Sequence, residues 1–280
     1  MEANIALVQM QMSVEKSENL LQALDKIREA AGKGADIVCL PELFTTPYFP
    51  QEEKADANSY AEEMPGETTN ALSKAARENG VVLVGGSIYE KDGKSFYNSS
   101  TIFGEDGKML AKYRKVHVPH DENFFEQNYF SAGSEFVVVK TKFAEISPLI
   151  CFDQWFPEAA RECALGGAKI IFYPTAIGTV KGVAQAEGNW HHSWETVMRG
   201  HAIANSVIVC AANRVGTEGK ITFWGGSFIC DAFGKVLARG GSREEIVFAK
   251  VDLSHGKSIR EGWKFFANRK PQTYKKIVGK

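Results

Sequence analysis

The sequence lacks a charge excess: 33 lysines and arginines stand against 34 aspartates and glutamates, a formal net charge of −1. Nucleic-acid backbones and anionic membrane surfaces select a basic excess, so neither is expected as a partner. No stretch approaches the roughly 20 apolar residues needed to cross a bilayer. The opening residues, MEANIALVQM, place no basic segment ahead of an apolar one and read as a strand, so a soluble, cytoplasmic protein is expected. Cysteine is sparse, at positions 39, 151, 163, 210 and 230, with no C-x-x-C pair. That fits a reducing compartment, and no histidine is spaced with the cysteines as in a zinc site. His191 and His192 lack carboxylate or thiolate partners at ligand spacing, so no metal is expected. VGGS at 84–87 lacks a following Gly-Lys, which argues against a phosphate loop.

What the chain does have is a hydrophobic content of 44% over 280 residues, enough for a full core. Residues 4–10 and 36–40 are apolar runs of strand length. Between them Ser13 is placed to cap a helix carrying Leu20, Leu21, Leu24, Ile27, Ala30 and Ala31, ended by Gly32 and Gly34. A strand–helix–strand unit of this kind implies a parallel pair with a right-handed crossover. The pattern recurs: a helix near 67–79 before a strand at 81–88, a strand at 143–150 before a helix near Pro157, and a helix at about 190–204 before a strand at 206–213. EDGK between 97–103 and 109–113 signals a hairpin, and the final third reads as antiparallel. No linker or repeat divides residues 1–280, so one α/β domain is expected, with sheets covered on both faces. Pro148, three residues before Cys151, predicts a local irregularity in its strand.

Three polar residues follow apolar strands: Glu42 after IVCLP, Lys115 in AKYRKVHVP, and Cys151 in SPLICFDQW. Sites in open α/β sheets collect at such strand ends. Taken singly, a glutamate or lysine there is usually solvated and a cysteine in an apolar run is usually inert core. The three stand 73 and 36 residues apart, so spacing alone does not unite them.

The stretches LPELF, YRKVHVP, ICFDQWFPEAAR, FYPTAIG, GHAIAN and NRVG resemble the nitrilase-related carbon–nitrogen hydrolases, from residue 4 to about 276. The resemblance implies a four-layer α/β/β/α sandwich, no cofactor, and Glu42, Lys115 and Cys151 as a catalytic triad. It also implies a homo-oligomer, at least a dimer, with the C-terminal tail (262–280) packing at a subunit interface. The residue types make chemical sense. A thiol of ordinary pKa near ~8.5 is mostly protonated at neutral pH and needs a base, the role the resemblance gives Glu42. Lys115 and the backbone N–H of Phe152 suit the oxyanion of a tetrahedral intermediate. Glu126 in FFEQNYF matches a second glutamate of the amidase branches, which positions substrate or water. His117 and His120 flank Val118 and Pro119, and either a place in the pocket or a structural role is open to them; His117 is set beside Phe152 and Glu126 as a positioning residue. Tyr48, Trp155, Thr175 and Ile177 are expected to line the substrate pocket.

The family cleaves nitriles, aliphatic amides, ω-amides and N-carbamoyl compounds. Members acting on N-carbamoyl amino acids carry arginines where Gln154 and Trp155 stand here, and an arginine fork clamps a carboxylate. Trp155 offers an aromatic wall instead, suited to a methylene chain or a cation. DQWFPEAAR, FYPTAIG and FEQNYFSAG most resemble members that convert N-carbamoylputrescine to putrescine, ammonia and carbon dioxide. The alternative is an ω-amidase or short aliphatic amidase using the same triad. In plant members an acid for the distal ammonium follows TAIG; here Thr179, Val180 and Lys181 follow, and Glu187 is the nearest substitute. Arg161 is expected to pair with Glu158, and Cys39, Cys163, Cys210 and Cys230 to be core thiols.

Overall fold

The computed structural model describes residues 2–277; positions 278–280 of the expected interface tail lie outside the described residues. Strand β1 (Glu2–Gln9), helix α1 (Lys16–Gly32), strand β2 (Ile37–Cys39), helix α2 (Glu67–Asn79) and strand β3 (Val82–Val84) form two successive parallel crossovers. Three antiparallel strands follow, β4 (Ile88–Asp92), β5 (Ser95–Phe103) and β6 (Met109–Arg114). The turn between the last two closes where Gly107 adopts φ +82° and donates its N–H to Gly104 O, as the EDGK signal predicts.

A second run of crossovers begins after the short strand β7 (Val139–Lys140). It comprises β8 (Glu145–Pro148), α3 (Pro157–Leu165), β9 (Ile170–Pro174), the side strand β10 (Gly178–Val180), α4 (Trp190–Asn205) and β11 (Ile208–Ala212). β8, β9 and β11 are parallel neighbours. Strands β12 (Val215–Glu218) and β13 (Ile221–Trp224) join β10 in a small three-stranded sheet. β14 (Phe228–Cys230) and β15 (Val236–Arg239) then extend the second main sheet antiparallel. β16 (Glu245–Asp252) returns to the first, pairing along all of β1, and helix α5 (His255–Trp263) follows.

The two large sheets stack face to face. Their shared core contains Ile5, Leu7, Val82 and Val84 from one sheet and Ile146, Ile170, Phe172 and Ile208 from the other. A second cluster joins Val38 and Leu83 to Leu20, Ile27, Leu72 and Ala76 of α1 and α2, and a third joins Ile171 and Val209 to Ala160, Trp194 and Met198 of α3 and α4. Strand residues alternate between these clusters because successive side chains point to opposite faces, so the layer order is α/β/β/α, as expected.

Several local expectations are corrected. Helix α1 starts at Lys16, and Ser13 lies outside it, where its Oγ accepts the Glu15 N–H instead of capping the helix. Leu21 is exposed and Ala23 takes its place in the buried stripe. The ladder between β8 and β9 runs regularly through Pro148, opposite Phe172, so the predicted irregularity is absent. Leu149 donates its N–H to Phe172 O; by alternation the missing donor of Pro148 faces the other edge, past the two residues of β7 that pair there. Arg161 does not pair with Glu158: its guanidinium donates to Ala204 O and stacks on Phe266, at the carbonyl end of α4, where a cation complements the helix dipole. Phe266, in the described part of the tail, packs against the α3/α4 layer of its own chain.

Candidate active site

The ends of β2, β6 and β8 converge. After β2 the chain turns through Pro41, and this turn is possible only because Gly86 presses on it: a Cβ at Gly86, which has φ +57°, would stand 2.2 Å from Pro41 O. Glu42 follows, fully buried, and Leu43 adopts φ +45°, a left-handed conformation costly for leucine. Arg214, buried between β11 and β12, holds this strained segment by donating to the carbonyls of Glu42, Leu43 and Thr46 while pairing with Glu218. Lys115 leaves the end of β6, its N–H bonded to Asn98 O on β5. Cys151 follows β8 at φ +40° and opens a single 3-10 turn, Cys151–Trp155, ahead of α3. A strained conformation at a lone cysteine on a strand-to-helix elbow marks a side chain held in place by its surroundings.

Lys115 is the hub. Its Nζ donates to Glu42 Oε1 at 2.8 Å and to Glu126 Oε2 at 2.6 Å, with all three side chains buried. Tyr48 donates its hydroxyl to Glu126 Oε1 at 2.7 Å, and Asn98 Nδ2 donates to Glu42 Oε1 at 2.8 Å. Burial pushes the Cys151 thiol well above its ordinary value, with the Glu42 charge adding to the rise and Lys115 opposing it, so the resting sulfur is a thiol and not a thiolate. Burial would lower Lys115, but Glu126 and Glu42 outweigh it and keep the ammonium charged. Burial raises the Glu126 carboxyl to about 7, against the pull of Lys115 and with the push of Glu42. The cluster therefore combines a neutral thiol, a permanent cation and, in Glu126, a carboxyl able to exchange a proton near neutral pH.

A cavity of about 570 Å³ opens onto this cluster. Tyr48, Glu126 and Cys151 lie at its buried end, and Phe152, Trp155, Ile177, Val180 and Trp190 form largely apolar walls. The exposed carboxylates Asp121, Glu122 and Glu187 stand on its lining, and among the described residues no lysine or arginine does. Glu187 is steadied by the indole N–H of Trp190 at 3.1 Å.

Most of the expected site residues are thus brought together; Glu42 and Lys115 are buried in the cluster and not on the cavity lining, and His117 and Thr175 are also absent from the lining. His117 stacks on Phe156 with ring centroids 3.7 Å apart and places Nδ1 2.8 Å from Asp153 Oδ1. Thr175 is buried behind the wall, its hydroxyl donating to Tyr173 O. Gln154 is buried at the cavity, its Oε1 accepting the Trp194 indole N–H at 2.8 Å. Sequence reasoning overlooked Asn98, Arg214 and Asp153. Asp153 accepts from Ile150 N–H, His117 N–H and the Tyr113 hydroxyl, and so joins the cysteine elbow to the segment carrying Lys115. A carboxylate and a guanidinium directly adjoining apolar strands were the available signals.

Residues 4–261 match the family model described as carbon-nitrogen hydrolase. The chain belongs to that family. This carbon–nitrogen hydrolase is 40% identical to an N-carbamoylputrescine amidase of Solanum lycopersicum, over 98% of this chain and 94% of the relative. It is 37% identical to a citrullinase of Francisella tularensis, over 99% and 98% of the two chains. The crystal structure of a carbon–nitrogen hydrolase from Helicobacter pylori G27 superposes with a TM-score of 0.95 at 33% identity, covering 100% of this chain and 99% of that one. The chain is accordingly an enzyme of the hydrolases that act on carbon–nitrogen bonds other than peptide bonds, and the four-layer fold is that of nitrilase-related amidases.

Proposed function

We propose that the enzyme hydrolyses an N-carbamoylated amine with a cationic far end, N-carbamoylputrescine being the best single substrate, through a covalent intermediate on Cys151. The observation that carries this reading is the polarity of the cavity: a buried thiol, lysine and carboxyl cluster at one end, and three carboxylates without an opposing cation among the lining residues. A carboxylate-bearing substrate meets repulsion there, whereas an ammonium on a methylene chain meets the apolar wall of Trp155 and Ile177 and then Asp121, Glu122 and Glu187. The relatives named N-carbamoylputrescine amidase support the same substrate.

In this reading Glu42 takes the proton of Cys151 as the sulfur bonds to the carbamoyl carbon. The carbonyl electron pair moves onto oxygen, facing Lys115 and the Phe152 N–H, each such donor being worth about 3–4 kcal/mol to the transition state. Collapse expels ammonia with that proton. Water, positioned by Glu126, cleaves the acyl-enzyme, and the carbamic acid released loses carbon dioxide to leave putrescine. No cofactor takes part, and the reaction belongs to polyamine synthesis.

The test compares ammonia release from N-carbamoylputrescine, N-carbamoyl-β-alanine, citrulline and a short aliphatic amide, with Cys151→Ala as control. Preference for the first by at least about tenfold in kcat/KM is expected, a difference of ~1.4 kcal/mol. Absence of turnover of the first by fresh reduced enzyme overturns the assignment, and preference for the neutral amide selects the ω-amidase or aliphatic amidase alternative.

A further inference from the structure

We propose that Asn98 is a positioning residue that commits Glu42 to one of its two carboxylate oxygens. Asn98 is fully buried in β5, and its Nδ2 donates to Glu42 Oε1 at 2.8 Å, the same oxygen that receives Lys115 Nζ at 2.8 Å. Glu42 Oε2 is buried and has no hydrogen-bond partner. Two donors on one oxygen hold the carboxylate plane against rotation, since exchanging the oxygens breaks both bonds. The unpartnered Oε2 is then the only oxygen with free capacity to receive a proton.

The cost of this arrangement supports it. Asn98 Oδ1 is itself buried without a partner, a condition that stable packing selects against. Reversing the amide would set Oδ1 against Glu42 Oε1, two acceptors in contact, so the carboxylate dictates the orientation. The backbone of Asn98 acts in the same direction, because its carbonyl accepts the Lys115 N–H at 2.9 Å. One residue thus sets the spacing between the base and the cation. When Sγ of Cys151 forms its bond to the substrate carbon, the thiol proton passes to Oε2, and the same proton later leaves with ammonia.

The inference rests on the reading of Glu42 as the base for Cys151, so the test separates the two. Alkylation of Cys151 by iodoacetamide, which is independent of the natural substrate, is followed against pH in the native enzyme and in Asn98→Ala, Asn98→Asp and Glu42→Gln, alongside kcat/KM for N-carbamoylputrescine. The groups facing Glu42 in this profile are Lys115, Glu126, Tyr48 and Cys151. Loss of the fixed carboxylate is expected to slow alkylation and kcat/KM by about 100-fold, with KM little changed. The acid limb of both profiles is expected to move to higher pH by about one unit, because a donor to the charged carboxylate has been removed. Asn98→Asp, nearly identical in volume, is expected to move the limb the same way and serves if the alanine variant does not fold. Native rates with an unmoved limb in a folded Asn98 variant overturn the proposal. If Glu42→Gln also alkylates with the native profile, the base assignment itself has failed.

Discussion

Arg214 donates its Nε–H to the backbone carbonyl of Glu42 at 3.0 Å, across 172 residues of sequence. The same guanidinium reaches the carbonyls of Leu43 and Thr46 and pairs with both oxygens of Glu218, one of which also accepts the Tyr48 N–H. It therefore fixes both the segment after β2 and Tyr48, which in turn touches Glu126. Arg214→Met is expected to destabilise the fold by about 3–5 kcal/mol, because Glu218 and three carbonyls lose a buried donor. Urea unfolding measures this, and a loss below about 1 kcal/mol would show the anchor to be dispensable.

Asp153 links the elbow to the Lys115 segment. Asp153→Asn brings an amide N–H₂ either against Ile150 N–H and the Tyr113 hydroxyl, which share Oδ2, or against His117 N–H on Oδ1. A destabilisation of at least about 2 kcal/mol is expected, since buried donors are left facing a donor. Steady-state kinetics should lose kcat more than KM, as Cys151 and Lys115 drift apart while the apolar walls persist.

Glu126 predicts a pH dependence of stability. Its carboxyl is raised from 4.5 to about 7 in the folded protein, so the native state holds a proton that the unfolded chain has already released in that window. The resulting stabilisation is complete below pH 4.5 and is lost as pH rises through about 7. Glu126→Gln removes the titration. Its Tm relative to the native enzyme is expected to be higher at pH 8 than at pH 5, and an equal difference at both values would count against a raised carboxyl.

The acidic mouth predicts salt-sensitive selectivity. Asp121→Asn, Glu122→Gln and Glu187→Gln combined are expected to raise KM for N-carbamoylputrescine by about tenfold at low ionic strength, a sum of exposed ion-pair contributions. Added salt should shrink the difference, and a neutral amide should be unaffected. Equal effects on both substrates would place the ammonium elsewhere.

Sheets covered by helices were legible because apolar runs alternate with helical stripes along the chain, and the α/β/β/α order came through the resemblance. Boundaries were less so: Ser13 looks like a helix cap but its hydroxyl closes a local turn, and Leu21 fits the helical period yet faces solvent. Pro148 reads as a disruption in one dimension, whereas the sheet offers an edge on which a missing donor costs nothing. Glu42, Lys115 and Cys151 became a set through resemblance, their contact being tertiary. Asn98 lies in an ordinary strand sequence, YNSS, and no pattern marks which asparagine will meet a carboxylate 56 residues away. A partner for a distal ammonium was sought in an acid after TAIG; Asp121 and Glu122 come from a different loop that only folding brings to the same cavity.

Five cysteines are present, yet only one offers a reagent any surface. Cys39, Cys163, Cys210 and Cys230 have no accessible surface, and only Cys151, at 8%, meets the cavity. A haloacetamide applied to the native enzyme should therefore stop at one equivalent per chain, turning a simple mass shift into a count of competent active centres in any preparation.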